Sequence, residues 1–258
     1  MVQGMEINEK TPPADFCKTC VKTKTHAALF PPKSDTEYKN IGDMTFTDIW
    51  GPSRITGIDG SCYYVSFMDA KSCQSIVYFL KAKTDVKDKI RHYAEFLHTQ
   101  TGKRVKCFQC DNGKEYVNSK VRQYLNDNRI WLELTAPHSS AQNGVAERLN
   151  HTLIKNAGAM IAHFNLPKFF RPEAIAYATY LKNQSPTCGL QGLITPDKAF
   201  WKQNPDISHL QEFGSPCWVL DQEGKIRKLD KKSQKFIFTG FQMSPRPITT
   251  IKRTHARF

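Results

Sequence analysis

Pro137 to His163 reads P-H-S-S-A-Q-N-G-V-A-E-R-L-N-H-T-L-I-K-N-A-G-A-M-I-A-H. The proline and the small polar residues after it spell a loop. Val145, Leu149, Leu153, Ala157 and Met160 then recur at helical spacing and give one apolar face. The opposite side carries Glu147, His151 and Lys155, four residues apart, so a first-turn carboxylate lies in line with groups that can be cationic. An acid at that position suits the positive end of the helix dipole, which alone accounts for Glu147 without any chemistry.

Two further stretches give it company. F-T-D-I-W-G-P at Phe46 to Pro52 and C-D-N-G-K-E-Y at Cys110 to Tyr116 each put an aspartate at or near the end of an apolar, strand-like run. Asp111 precedes Glu147 by 36 positions. Together the three stretches resemble the catalytic core of retroelement integrases, the D,D-35-E polynucleotidyl transferases. Q-N-G-V-A-E-R, D-N-G-x-E-Y and T-D-I-W-G-P are similar to the copia-type retrotransposon branch in particular.

That resemblance implies an α/β, ribonuclease H-like fold: a mixed five-stranded sheet with flanking helices, followed by a small C-terminal SH3-like β module. It implies Asp48, Asp111 and Glu147 as catalytic ligands of two Mg²⁺ or Mn²⁺ ions, with Asp48 bridging the pair. Hard cations of this kind prefer oxygen donors, and no His/Cys cluster in the core favours zinc. The implied activity is 3′-end processing and strand transfer of element DNA into target DNA. The implied setting is a homo-oligomer released from a Gag-Pol-type polyprotein and working in the nucleus after a cytoplasmic particle. A catalytically inactive or domesticated DNA-binding relic shares the fold, as does a hydrolase of RNA–DNA hybrids. Lys114 stands where the copia-type pattern often has a second glycine.

Composition agrees with a polyanionic partner. The chain has 258 residues, 37 basic against 24 acidic, for a net charge of +13. Such surfaces attract phosphate backbones through counterion release without sequence preference. No run of about 18 apolar residues offers a membrane span. The first ten residues lack the apolar centre of a signal peptide, so the expectation is an intracellular protein whose eight cysteines are thiols or metal ligands.

In chain order, residues 1–35 read as an extended segment. Its one chemical feature is Cys17-Lys18-Thr19-Cys20, spaced so that both thiolates can reach one zinc ion. The resemblance makes this pair the second half of a His-His-Cys-Cys module, so Zn²⁺ binding requires further upstream ligands; His26 lies on the wrong side. Residues 36–200 form the expected core. Strands are predicted at Met44–Trp50, Cys62–Met68, Gln74–Leu80, Arg104–Cys110 and Ile130–Thr135, with Asp69 as a turn residue. A helix is predicted from Thr84, its N-cap, to Thr99, with Gly102 ending it. Another covers Asn118–Asn128, and one follows the Leu166-Pro167 break, beginning near Pro172. Cys107 and Cys110 point to opposite faces of their strand and are read as buried thiols.

Residues 201–258 hold a linker and part of the β module, with strands at Cys217–Leu220 and Phe236–Phe241. Between those strands, Lys225 to Lys232 form a basic run open to a solvated-face, DNA or nuclear-import reading. Around the acids, Asn143, Arg148 and Lys155 are the candidate DNA contacts, and each is equally an ordinary polar residue by type.

Overall fold

Side-chain alternation along Thr45–Trp50 decides which helices cover which face of the sheet. Thr45 and Thr47 turn to one side and are fully buried. Their hydroxyls bond to those of Tyr93, at 3.3 Å, and Tyr116, at 3.1 Å. Phe46, Asp48 and Trp50 turn the other way. A computed structural model describes residues 36–111, 113–135, 143–220 and 233–241. All the elements below lie in the unit Glu37–Phe258.

The strands are β1 (Thr45–Trp50), β2 (Tyr63–Asp69), β3 (Ser75–Leu80), β4 (Cys107–Cys110) and β5 (Trp131–Leu134). They form one mixed sheet in the order β3-β2-β1-β4-β5. The meander β1–β2–β3 is antiparallel, whereas β4 and β5 join in parallel. This is the five-stranded ribonuclease H-like arrangement the motifs imply.

Helices α1 (Val86–Thr101), α2 (Lys114–Val117) and α3 (Ser119–Asp127) follow β3 and β4. Val86, Ile90, Tyr93 and Leu97 of α1, with Val121 and Leu125 of α3, bury one face of the sheet. The Tyr93 ring stacks on Phe67 at 4.6 Å between centroids. The other face packs on α4 (Gly144–His163) and α5 (Arg171–Gln184), through Leu149, Leu153, Ala157, Ala174, Ile175 and Ala178. A sixth helix, α6 (Pro196–Trp201), begins at Thr195, whose hydroxyl accepts from the Lys198 N–H. Among the described residues no helix is long and apolar enough to cross a membrane.

Several boundaries differ from the sequence reading, each for a physical reason. Thr84 is not an N-cap: Lys83–Asp85 form a 3₁₀ turn, and Asp85 accepts the Ala82 N–H at 3.2 Å before α1 starts at Val86. Gly102 does end that helix, at φ +67°, with its N–H on the His98 carbonyl. Residues 104–106 do not belong to β4, because Lys106 bonds to the Gly42 carbonyl instead. Asn118 does not begin the helix it was assigned to but caps it, accepting from Val121 N at 2.9 Å. Asp69 is more than a turn residue, since its buried carboxylate accepts from the Gly42 and Ser72 N–H groups and the Ser72 hydroxyl.

Strands β6 (Pro216–Leu220) and β7 (Ser233–Ile237) pair antiparallel, with Trp218 opposite Lys235. Phe213 and Phe238, which flank this ribbon, pack on Tyr177 of α5, and the Tyr177 hydroxyl donates to the Gln211 carbonyl. The described residues here contain this one two-stranded ribbon, which by itself does not establish the SH3-like module expected. Cys17, Cys20 and the basic run 225–232 lie outside the described residues.

Candidate functional site

β1 and β4 are parallel neighbours, with Thr45 beside Phe108 and Phe46 beside Gln109. Continuing that register by two residues leads to Asp48 on β1 and to Asp111, just past the end of β4. Asp111 leaves the strand at its carboxyl end and accepts the Gly113 N–H at 3.1 Å, which ties the D-N-G turn to the acid. Glu147 comes from the first turn of α4 and is exposed. Its charge and that of Asp111 both reach Asp48.

Asp48 is held at both oxygens. Oδ1 accepts the Ile49 N–H and Oδ2 accepts the Asn150 Nδ2–H, each at 2.9 Å. Its carboxyl is pushed up to about 6, first by burial; the Asn150 hydrogen bond opposes this, while the Asp111 and Glu147 charges add to it. A carboxylate so placed calls for a nearby positive charge.

The donor set fits hard divalent ions. Among Asp48, Asp111 and Glu147 every donor is a carboxylate oxygen, and the nearest thiol, Cys110, is fully buried in the core on the other face. Burial pushes that thiol far up, which suits the structural role read from its spacing. Among the described residues no group of three or more His, Cys, Asp and Glu side chains is gathered closely enough to hold one ion. Mutual repulsion keeps uncompensated acids apart, so this arrangement is one that cations would have to draw in.

The flanking candidates separate. Arg148, His151 and Lys155 are exposed on α4, and none forms an ion pair among the described residues. Asn143, by contrast, is 2% exposed, and its Oδ1 has no partner among the described residues. It stands at the N-terminal end of α4, where its side chain makes no capping hydrogen bond.

Asn150 is the residue the sequence reading passed over. The apolar stripe was drawn through Val145 and Met160, yet the buried face of α4 runs through Ala146, Leu149, Asn150, Leu153 and Ala157. Asn150 is 4% exposed, and its Oδ1 lacks a partner among the described residues. A polar residue three after Glu147 and in step with the inward face was the available signal.

With this geometry in view, the comparisons with known proteins are direct. A family model described as integrase core domain matches residues 41–140, a span that holds Asp48 and Asp111 and stops short of Glu147. The retrovirus-related Pol polyprotein from transposon TNT 1-94 of Nicotiana tabacum is 33% identical over 225 residues, or 87% of this chain. The chain belongs to the retroelement integrases. A second relative of this integrase, the Pol polyprotein from transposon RE2 of Arabidopsis thaliana, is 30% identical over 88% of the chain. The integrase spans 17% and 15% of these two polyproteins, respectively. Among solved structures, the intasome of simian T-cell lymphotropic virus in complex with the PP2A regulatory subunit B56 gamma shares its fold. The match has a TM-score of 0.56 at 16% identity and covers 86% of this chain and 76% of that one.

Proposed function

We propose that this integrase carries the catalytic core of a copia-type retrotransposon and performs metal-dependent 3′-end processing and strand transfer. The observation that supports it best is the end-of-sheet arrangement in which Asp48, half buried, meets the charges of both Asp111 and Glu147. In this reading these three carboxylates hold two Mg²⁺ or Mn²⁺ ions. The ions would neutralise the reacting phosphodiester and steady its attacking and leaving oxygens.

The chain's own side chains then have distinct tasks. Asn150 fixes the rotation of the Asp48 carboxylate, so its free lone pairs face the site rather than the helix. Arg148 and Lys155, exposed on α4 and in no ion pair among the described residues, supply cations to the DNA backbone near the acids. Two exchanges follow: water attacks phosphorus near the element's 3′ end and frees a 3′-hydroxyl; that hydroxyl then attacks a target phosphodiester, whose own 3′ oxygen leaves. One phosphodiester replaces another in the second exchange, so no organic cofactor or covalent enzyme intermediate is needed.

The proposal extends to the setting: a homo-oligomer on element ends and target DNA, cut from a Gag-Pol-type polyprotein, acting in the nucleus. Its domains would be 1–35, an N-terminal segment whose Cys17 and Cys20 bind Zn²⁺ only with further ligands; 36–200, the core; and 201–258, the linker and β module.

The test is joining of short duplex ends to a plasmid in Mg²⁺ or Mn²⁺, compared with Glu147→Gln. Metal-dependent joining that the variant loses by at least a hundredfold is expected. DNA binding with no joining under either metal would refute the enzyme and leave the DNA-binding relic.

A further inference from the structure

Trp50 lies two residues beyond Asp48 on the same face of β1, about 7 Å along the strand. Its ring stacks on Tyr64 on one side, 5.6 Å between centroids. The guanidinium of Arg171, the first residue of α5, stands 5.7 Å from the Trp50 ring centre. Arg171 makes one hydrogen bond among the described residues, a long 3.4 Å contact to the Ile55 carbonyl, and no carboxylate pairs with it there. Asp59 is otherwise engaged, since it takes the Ser61 N–H and hydroxyl.

A guanidinium has five N–H donors in a planar fork suited to two oxygens of one phosphate. Here it is half buried, and burial pulls its proton affinity down, so it loses hydration without gaining a counter-ion. The recess beneath it, lined by Trp50, Ser53, Ile55, Cys62 and Pro172, has room for about one water molecule. Tyr64 stacks on Trp50 and the Arg171 guanidinium stands over the same ring, so the ligand this site best suits is an anion that touches the fork.

We propose that Arg171, positioned by Trp50, is a phosphate seat for the DNA strand that crosses the acidic site, one position along from the scissile phosphodiester. This inference rests on the integrase reading for its ligand. The seat fixes the strand's position along β1 and does not read its sequence. It also explains why a cation is retained beside an aromatic pair where an apolar side chain would pack with less desolvation cost.

The test measures binding of a labelled 30-base-pair duplex to the full chain, without divalent metal, across a salt series. Arg171→Gln keeps an amide donor for the Ile55 carbonyl and a flat group over Trp50 but removes the charge. It should weaken binding roughly threefold or more near 0.1 M salt and reduce the steepness of log K against log [salt] by about 0.9. Arg171→Lys should keep the slope. Thermal melting of both variants shows whether each is folded; if Arg171→Gln melts early, the slope of Arg171→Lys against Arg171→Met replaces it. An unchanged slope in a folded, charge-removed variant overturns the seat alone, whereas a parent chain that does not bind DNA overturns the integrase reading with it.

Discussion

Replacing Asp48 with Asn should make the metal-free chain more stable at neutral pH. The carboxyl titrates near 6 in the folded chain against 3.8 for the free group. For an acid, a raised value means the folded state holds its proton more tightly. The penalty is therefore absent below about pH 4, grows as pH rises through the window from 4 to 6, and is complete above it. Its ceiling is about 3 kcal/mol at pH 7.5. Asp48 keeps some contact with water, and Asn can satisfy only one of the two donors now held by the carboxylate. Losing one such hydrogen bond costs about 1 kcal/mol, which leaves a net gain of about 1–2 kcal/mol. For a domain of this size that is a rise in Tm of about 2–8 °C. Melting should be followed in EDTA at pH 7.5 and pH 4.5, with the gain shrinking or reversing at the lower value. Millimolar Mg²⁺ or Mn²⁺ should then raise the Tm of the parent and leave Asp48→Asn almost unmoved. A variant no more stable than the parent at pH 7.5 would refute the claim that this carboxylate is held against electrostatic cost.

Two other substitutions separate positioning from packing. Asn150→Ala removes the donor that lowers the Asp48 carboxyl, so the acid limb of the joining rate should move to higher pH and the rate at pH 7 should fall about 10–100-fold; a rate loss without the pH shift would assign Asn150 a merely structural part. Leu153→Ala, at a fully buried position between α4 and the sheet, should cost about 2–5 kcal/mol in denaturant unfolding. A cost below 1 kcal/mol would mean that this helix is not fixed by that contact.

The strands themselves were legible because each announces its own burial. Tyr63–Asp69 and Ser75–Leu80 are rich in aromatic and β-branched residues, and the short connection between them leaves only antiparallel pairing. The boundaries were less legible because they depend on partners distant in sequence. Nothing near Arg104 says that Lys106 will bond to Gly42, and nothing near Ser72 says that Asp69 will collect the Gly42 N–H.

The sequence reading singled out three acids and passed over their surroundings for one physical reason. Asp48, Asp111 and Glu147 stand in short motifs at set spacings, which one dimension displays directly. Asn150 and Arg171 act across the fold: Asn150 reaches from α4 to β1, and Arg171 reaches from α5 over Trp50. In one dimension Asn150 interrupts a helix stripe and Arg171 is one cation among 37. Only the packing of α4 and α5 on the same face of the sheet makes one a brace for the first acid and leaves the other a cation with no ion pair among the described residues. Both contacts converge on Thr45–Trp50, so the strand that positions the first carboxylate also sets where a bound DNA backbone would have to run.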